Sequence, residues 1–210
     1  MGNRALFDTI VTVLVGPAEK SYSLHKGLLC KYSDYFRAAL TGSFAEAATQ
    51  TVRLDEEDPA IFDLFVTWLY TQRIIPEDMT SKDVDWKILA EQYVFADRRS
   101  SPSFKNAIID ALATKALDKE QFLPQYGTIK WIWDNTGDKA SLRRFMVDYF
   151  AHVADLDEAF RTQRDRKRPP LDFVCDVLGE YYRLTKRMCS VNWEFEKPDI
   201  GKNYHDKIDK

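Results

Sequence analysis

The segment that decides the fold is residues 20–69, KSYSLHKGLLCKYSDYFRAALTGSFAEAATQTVRLDEEDPAIFDLFVTWL. Its apolar residues first alternate with polar ones, then recur at helical spacing from His25, and alternate again at Val52 and Leu54. A period of two predicts a β-strand, and a spacing of three to four residues predicts an amphipathic helix. The segment therefore predicts a strand, two short helices, a strand and a strongly apolar helix, an order that favours an α+β domain.

A β-hairpin is predicted where this segment begins. Residues 10–15 (IVTVLV) are apolar at almost every position, which predicts a strand largely buried on both faces. Gly16 and Pro17 supply the residues that a turn requires. Tyr22 and Leu24 then alternate with serines, so a second strand is expected to pair with the first.

Capping residues mark the helices of the segment. Ser33 is suited to cap the second helix, and Gly42 is suited to end it. Asp58 is a good N-cap for the next helix, since Pro59 is preorganised for a first helical position. That helix carries an apolar stripe too broad for a surface helix, so we expect it at the centre of the core; its residues are Ile61, Phe62, Phe65, Trp68 and Leu69.

Helices are predicted through most of the remaining chain, at about residues 81–98, after Pro102, across residues 119–160 and at residues 171–188. The last helix has an apolar stripe that we expect to be buried, either on the domain or on a partner. The stripe consists of Leu171, Val174, Cys175, Leu178, Tyr181, Tyr182 and Met188.

Bulk composition indicates an ordinary soluble protein of 210 residues, with 45% apolar and 30% charged residues. The net charge of −3 gives no field that would attract nucleic acid or an acidic membrane. Three widely spaced cysteines form no disulfide framework, which fits a reducing compartment. No targeting signal or membrane-spanning stretch is recognised, so we expect a cytoplasmic or nuclear protein without a membrane partner.

Four stretches stand in an order and spacing that resemble a BTB/POZ domain, of the type common in fungal proteins. They are FDTIVTVLVG (residues 7–16), YSLHKGLLCKYSDYFRAAL (residues 22–40), SFAEAATQTVRLDEEDPAIFDLFVTWLYT (residues 43–71) and the predicted helix at Leu89–Asp97. The resemblance implies a small, mostly antiparallel sheet flanked by a helical cluster, followed by C-terminal helices. It also implies a protein–protein interaction module.

The resemblance divides the chain into five predicted segments. Residues 118–160 are compatible with a short BACK-like extension, although no residue-by-residue match supports that interpretation. The segments are a BTB/POZ domain at 7–117, a helical extension at 118–160, a basic proline-ended linker at 161–170, a C-terminal helix at 171–190 and a polar tail at 191–210.

Several BTB proteins are adaptors that dock a cullin scaffold of a ubiquitin ligase, and such adaptors often carry a hydrophobic-x-Glu motif between the second core helix and the next strand. Phe44-Ala45-Glu46 stands at that place. The resemblance therefore implies a protein-binding site with Phe44 as its apolar anchor and Glu46 as its polar neighbour. Tyr35, Phe36 and Tyr70 are the further candidate contacts.

Two other BTB roles stay open, a self-association scaffold and a transcription-linked regulator, neither acting in a ligase. Dimerising BTB domains commonly have an extra helix and strand before the region seen here. Only residues 1–9 precede the first predicted strand, so we do not expect a swapped-strand dimer. Homo-oligomers of another kind remain compatible with the sequence.

No catalytic, cofactor or metal site is predicted. His25 is interpreted as a residue bonded to backbone at a strand-to-helix turn, while His152 and His205 lie in unrelated segments. The chain has no phosphate-binding loop, dinucleotide fingerprint or nucleophile motif. Glu56 and Glu57 are explained by the adjacent helix N-terminus and by solvation. We therefore expect a protein that is not an enzyme.

Two clusters have competing interpretations. Tyr126, Trp131 and Trp133 would either line a peptide groove or pack in a core, and general burial trends favour the core. Residues 161–168 (RTQRDRKR) would form either a nucleic-acid or nuclear-import patch or a solvated linker. Since no aromatic residues are interleaved with these cations, the linker is favoured, and no nucleic-acid partner is expected.

Overall fold

The computed structural model describes residues 6–118, 123–152, 168–187 and 205. These residues fall into two compact units, which alternate along the sequence. The first unit takes in the described chain up to Ile74 together with Glu91–Ala107, and the second takes in Ile75–Ala90 and the described residues from Ile108 onward. Most of the predicted linker and tail, together with Met188, lies outside the described residues, and the predicted segment boundaries stay a prediction.

Among its described residues, the first unit contains a three-stranded sheet and four complete helices, and two further helices contribute residues to each unit. The strands are β1 (Ile10–Val15), β2 (Lys20–His25) and β3 (Thr51–Leu54). The helices are α1 (Lys26–Tyr32), α2 (Asp34–Thr41), α3 (Ala45–Thr49) and α4 (Pro59–Thr71), and the two shared ones are α5 (Trp86–Arg98) and α6 (Pro102–Ala116).

The sheet has the order β2-β1-β3, and its pairing is mixed. The predicted hairpin is confirmed, since β1 and β2 are antiparallel with Val13 opposite Tyr22. The other pair, β1 and β3, is parallel, with Val13 opposite Val52. The antiparallel pairing covers all of β1 and the parallel pairing covers Thr12–Val15, in agreement with the expected fold class. Strand β2 ends opposite Ile10, so the chain is back at the start of β1 when three helices lead to β3, and β3 can therefore run parallel to β1.

Strand β1 is buried on one face only, which corrects the prediction of burial on both. Val11, Val13 and Val15 are buried, whereas Thr12 and Leu14 are half-buried and Ile10 is exposed. Residues opposite each other on neighbouring strands share a face. The face of Val13 therefore also carries the Tyr22 ring, which lies 4.7 Å from that of Phe62 in α4.

The predicted caps are confirmed at both helices that they were assigned to. The Ser33 hydroxyl accepts a hydrogen bond from the Phe36 N–H at the start of α2, and Gly42 follows the last residue of that helix. The Asp58 carboxylate accepts from the Ala60 N–H at 2.8 Å, and Pro59 begins α4. These bonds satisfy amide groups that have no partner within the helix itself.

Helix α5 begins at Trp86, five residues later than predicted. Asp85 explains the start, because its carboxylate accepts from the Lys87 N–H at 2.6 Å as a capping side chain does. Before it, Asp83 accepts from the Thr80 N–H at 2.8 Å in a turn. The buried Lys115 of α6 donates to the Ser81 carbonyl at 2.9 Å, so this carbonyl accepts a side-chain hydrogen bond instead of a helical one.

The apolar stripe of α4 is the core of the first unit, as predicted, because all five of its residues are buried. Phe65 lies at the centre of this core. Its ring centroid is 5.2 Å from the rings of Phe95 and Phe104, and 6.2 Å from that of Phe36. Rings in such stacked and tilted pairs gain from burial and from favourable ring–ring contact.

Among the described residues that lie wholly in the second unit, three helices form: α7 (Tyr126–Asn135), α8 (Ser141–His152) and α9 (Leu171–Arg187). Phe173 joins them, since its ring lies 5.1 Å from Trp133 of α7 and 5.0 Å from Phe150 of α8. Helix α9 is anchored to α8 by this fully buried ring and by the buried Val177.

The predicted stripe of α9 is not buried on the domain, which corrects that alternative, while its burial on a partner stays a prediction. Phe173 and Val177 lie on a neighbouring side of the helix, and they are the residues that pack. Helix α9 is apolar around more than half of its circumference, and only one part of that surface faces α8. The predicted residues are exposed, apart from the half-buried Val174; they are Leu171, Cys175, Leu178, Tyr181 and Tyr182.

We expect Ser33→Ala to lower the free energy of unfolding by about 1–2 kcal/mol. The substitution removes the α2 cap, and it also removes the hydroxyl that donates to the Arg99 carbonyl just after α5, 2.5 Å away. Urea unfolding followed by circular dichroism measures the loss. Ser43→Ala is the matched control, because Ser43 is exposed. Equal midpoints for the two variants would contradict the assigned role of Ser33.

A candidate protein-interaction surface

Phe44 is the exposed aromatic residue of the segment between α2 and α3. Its side chain is 61% exposed. It stands at the N-cap position of α3, where its carbonyl accepts a hydrogen bond from the Ala47 N–H at 3.0 Å. The ring therefore projects from a segment whose backbone is fixed by the start of a helix.

Gly42 and Gln50 hold this segment at its two ends. A Cβ atom on Gly42 would lie 2.5 Å from the Ala38 carbonyl oxygen and 3.3 Å from the Phe44 ring, so glycine is required by close approach. Gln50 adopts a left-handed conformation with a φ of 52° at the end of α3. Its side chain accepts from the Lys26 ammonium at 2.9 Å, and its carbonyl accepts from the Thr12 N–H at 3.0 Å.

Glu46 lies in the first turn of α3 and is half-buried. A carboxylate is favoured at that position by the amide groups that a helix leaves unpaired at its N-terminus. The structure thus brings Phe44 and Glu46 together on one short rigid element. An apolar ring beside a carboxylate offers a partner both surface to bury and a hydrogen-bond acceptor.

Phe36 is wrong as a contact residue. It is fully buried, and its ring stacks on Phe65 in the core of the first unit. The adjacent Tyr35 is half-buried and remains accessible, with the Arg99 guanidinium 4.5 Å above its ring centroid. The helical spacing of Tyr35 and Phe36 does not show by itself which of the two faces outward.

An ion pair under Tyr35 was not recognised from the sequence. Arg99 donates to the Glu57 carboxylate at 2.6 Å, and the two side chains are only 15% and 8% exposed. Glu57 is therefore not a solvated residue of the helix N-terminus. A buried carboxylate requires such a partner, because desolvation penalises an unpaired charge.

Tyr70 is exposed and contacts His25. Its hydroxyl lies 2.8 Å from the His25 Nδ1 and accepts from the His25 N–H at 3.2 Å. The histidine side chain is thus bonded to a tyrosine hydroxyl, not to backbone as predicted. Among the described residues, Tyr70 has ring contact with His25 and none with Phe44. Phe7 packs edge-on against the other side of His25 at 5.1 Å and is exposed, which the sequence did not indicate.

The aromatic residues of α7 follow the core interpretation. Tyr126 and Trp133 are buried, and Trp131 is half-buried. The Trp133 ring packs on Phe173 and also has the Arg143 guanidinium 5.2 Å away. These contacts account for the two buried rings as packing residues of the second unit.

The described cysteines do not have the environment of an activated nucleophile. Cys30 is half-buried, and burial raises the pKa of its thiol, which disfavours the reactive thiolate. Cys175 is exposed on α9.

Residues 3–93 match the family model of the BTB/POZ domain. These residues form a BTB/POZ domain. The observed hairpin and α4 core agree with the fold that the motifs implied, and BTB/POZ domains mediate protein–protein interactions. The chain therefore contains a protein-interaction module.

The chain is also similar to curated relatives that share this domain. Human Kelch-like protein 30 is 41% identical over 64 residues, which are 30% of this chain and 11% of that protein. Mouse Kelch-like protein 30 is 29% identical over 161 residues, 74% of this chain and 25% of that protein. Mouse Kelch-like protein 41 is 35% identical over 66 residues, 31% of this chain and 11% of that protein. The chain thus spans at most about a quarter of the length of these relatives.

The search for membrane-spanning helices gave none within the described residues, where every helix is too short or too polar to cross a bilayer.

We expect Arg99→Met to lower the free energy of unfolding by about 3–5 kcal/mol, because it leaves the Glu57 carboxylate buried without its cation. The double variant Glu57→Gln with Arg99→Met should recover part of the loss, since the buried charge is then absent. Urea midpoints measure both effects. Arg98→Met, at the exposed neighbouring position, is the control. A loss for Arg99→Met no larger than that of the control would show that the pair contributes nothing.

Proposed function

We propose that the BTB/POZ domain docks a cullin scaffold through Phe44 and Glu46, and that the chain acts as a substrate adaptor of a cullin-based ubiquitin ligase. The observation that carries the proposal is the position of the hydrophobic-x-Glu motif. It lies on a structured turn between α2 and β3, with its phenylalanine 61% exposed. This is the place that the family resemblance assigns to cullin contact.

The energetics of such a contact favour Phe44 as the main anchor. Burying one exposed phenylalanine side chain contributes about 1.5–3 kcal/mol. The α3 turn already fixes the backbone at Phe44 and Glu46, so binding orders little additional chain. Glu46 adds specificity, because a partner must supply a hydrogen-bond donor to its carboxylate.

Tyr35 and Tyr70 serve as secondary contacts in this proposal. Tyr35 is held from one side by Arg99 and Tyr70 by His25, so each ring presents a preorganised surface. Phe36 contributes indirectly, since its packing on Phe65 fixes the helix that leads to Phe44. A cullin-ligase adaptor of this kind would act in the cytoplasm, the nucleus or both.

Self-association is the second candidate function. The exposed Phe7 and Ile10 favour it, because both lie at the start of the sheet close to the accessible His25 and Tyr70. Sedimentation of the whole chain separates the two candidates: a tight dimer favours self-association, and a monomer favours the adaptor. The transcription-linked alternative depends on the basic residues 161–168, of which only Arg168 is described.

We expect the double variant Phe44→Ala with Glu46→Ala to bind the N-terminal domain of a cullin at least about 30-fold more weakly, since hot-spot residues contribute about 2 kcal/mol or more. Both residues lie outside the core, so the fold should persist. Titration calorimetry measures the affinity, and circular dichroism checks the fold.

Ile88→Ala with Glu56→Ala is the control for this experiment. It removes one exposed apolar and one exposed acidic side chain from other parts of the chain, so cullin affinity should stay unchanged. Retained binding by the Phe44 and Glu46 variant would overturn the site. Equal loss in the control would show that the effect is not local.

A further inference from the structure

Helices α8 and α9 bring three potential metal ligands together. Asp148 and His152 are four positions apart on α8, which places them on one face of that helix. Glu180 of α9 faces them, with its Oε1 atom 3.8 Å from the His152 Nε2. One ligand atom from each residue lies within 4.8 Å of the other two.

We propose that Asp148, His152 and Glu180 bind a Zn²⁺ ion. The proposal is independent of cullin docking, because all three residues belong to the second unit. It also departs from the sequence analysis, which predicted no metal site and placed His152 in an unrelated segment.

The spacing of the three ligand atoms suits a small divalent cation. When three points lie within 4.8 Å of one another, some position lies within about 2.8 Å of all of them. Bond lengths from zinc to imidazole nitrogen and carboxylate oxygen are about 2.0–2.2 Å. The distance from the ligand atoms to that position therefore exceeds a zinc bond length by under about 1 Å. Side-chain rotation covers this distance without movement of the helices.

The chemistry of the ligand set also fits zinc. One imidazole and two carboxylates are nitrogen and oxygen ligands of the kind that zinc accepts, and the two carboxylates offset the charge of the dication. The His152 side chain is only 4% exposed, so it is directed into the interior between the helices.

Glu180 is oriented in the way that metal ligands commonly are. Its Oε2 atom pairs with the Arg183 guanidinium one turn along α9, while its Oε1 atom is the one directed at His152. An outer hydrogen bond to one carboxylate oxygen fixes the direction of the other, and such outer partners tune metal affinity.

The three ligands lie beside an open cleft of about 440 Å³, whose lining includes Asp148 and Glu180. The cleft gives an ion a route to the ligands and leaves room for water at the remaining coordination position. Lys139, Arg143 and Arg144 also line it. Their charge weakens the attraction for a cation, which argues for a site of moderate affinity that depends on all three ligands.

Titration of the untagged full chain with Zn²⁺ tests the proposal. We expect one equivalent to bind with a Kd below about 10 µM and to raise the melting temperature, because the ion links α8 to α9. Co²⁺ in place of zinc should give a visible absorption band of a low-coordinate site. His152→Gln, Asp148→Asn and Glu180→Gln should each weaken binding at least tenfold.

His205→Gln and Asp176→Asn are the controls, since His205 pairs with Asp110 elsewhere and Asp176 lines the same cleft without joining the cluster. Both should bind zinc as the unaltered chain does. Circular dichroism identifies any variant that fails to fold. If His152→Gln fails to fold, zinc binding by the conservative variants Asp148→Asn and Glu180→Gln decides whether the site exists. Absence of binding at 1:1 stoichiometry, or binding that survives all three ligand substitutions, would overturn the site.

Discussion

The packing of Phe65 is the constraint on which the BTB/POZ domain depends. Its buried ring lies within 6.2 Å, centroid to centroid, of rings from α2, α4, α5 and α6. An interior at close-packed density cannot relax around a missing ring, so truncation of Phe65 would leave a cavity that costs about 3–5 kcal/mol. Every helix that contacts this ring is fixed relative to the others in the first unit.

The packing of Phe65 affects the interaction surface through helix α2. Phe36 of α2 is buried and packs on Phe65, which anchors the helix that ends at Gly42. The close approach of Gly42 to Ala38 then directs the chain to Phe44. The core packing therefore affects how the surface is presented. Phe36 is buried and holds α2 in place, and Phe44, eight residues later, is exposed and available to a partner.

Sequence predicted the parts of the structure that depend on local pattern. The capping residues Ser33 and Asp58, the hairpin and the α4 stripe follow from short-range chemistry, so they were recognised. Features that depend on tertiary packing were not recognised from the sequence. Helix α9 is apolar on two adjoining sides, and nothing local shows that Phe173 packs while Leu178 stays exposed. The Glu57–Arg99 pair joins residues 42 positions apart, and Glu180 meets His152 only because α9 lies on α8.

The central claim is that the α2–α3 turn is a preorganised docking site for a cullin. Hydrogen–deuterium exchange of the full chain, with and without the cullin N-terminal domain, tests it most directly. We expect added protection at residues 41–50, which include the α3 amides, with no change around the buried Phe62 and Phe65 of α4. Protection elsewhere with none at residues 41–50, or no complex at all, would contradict it.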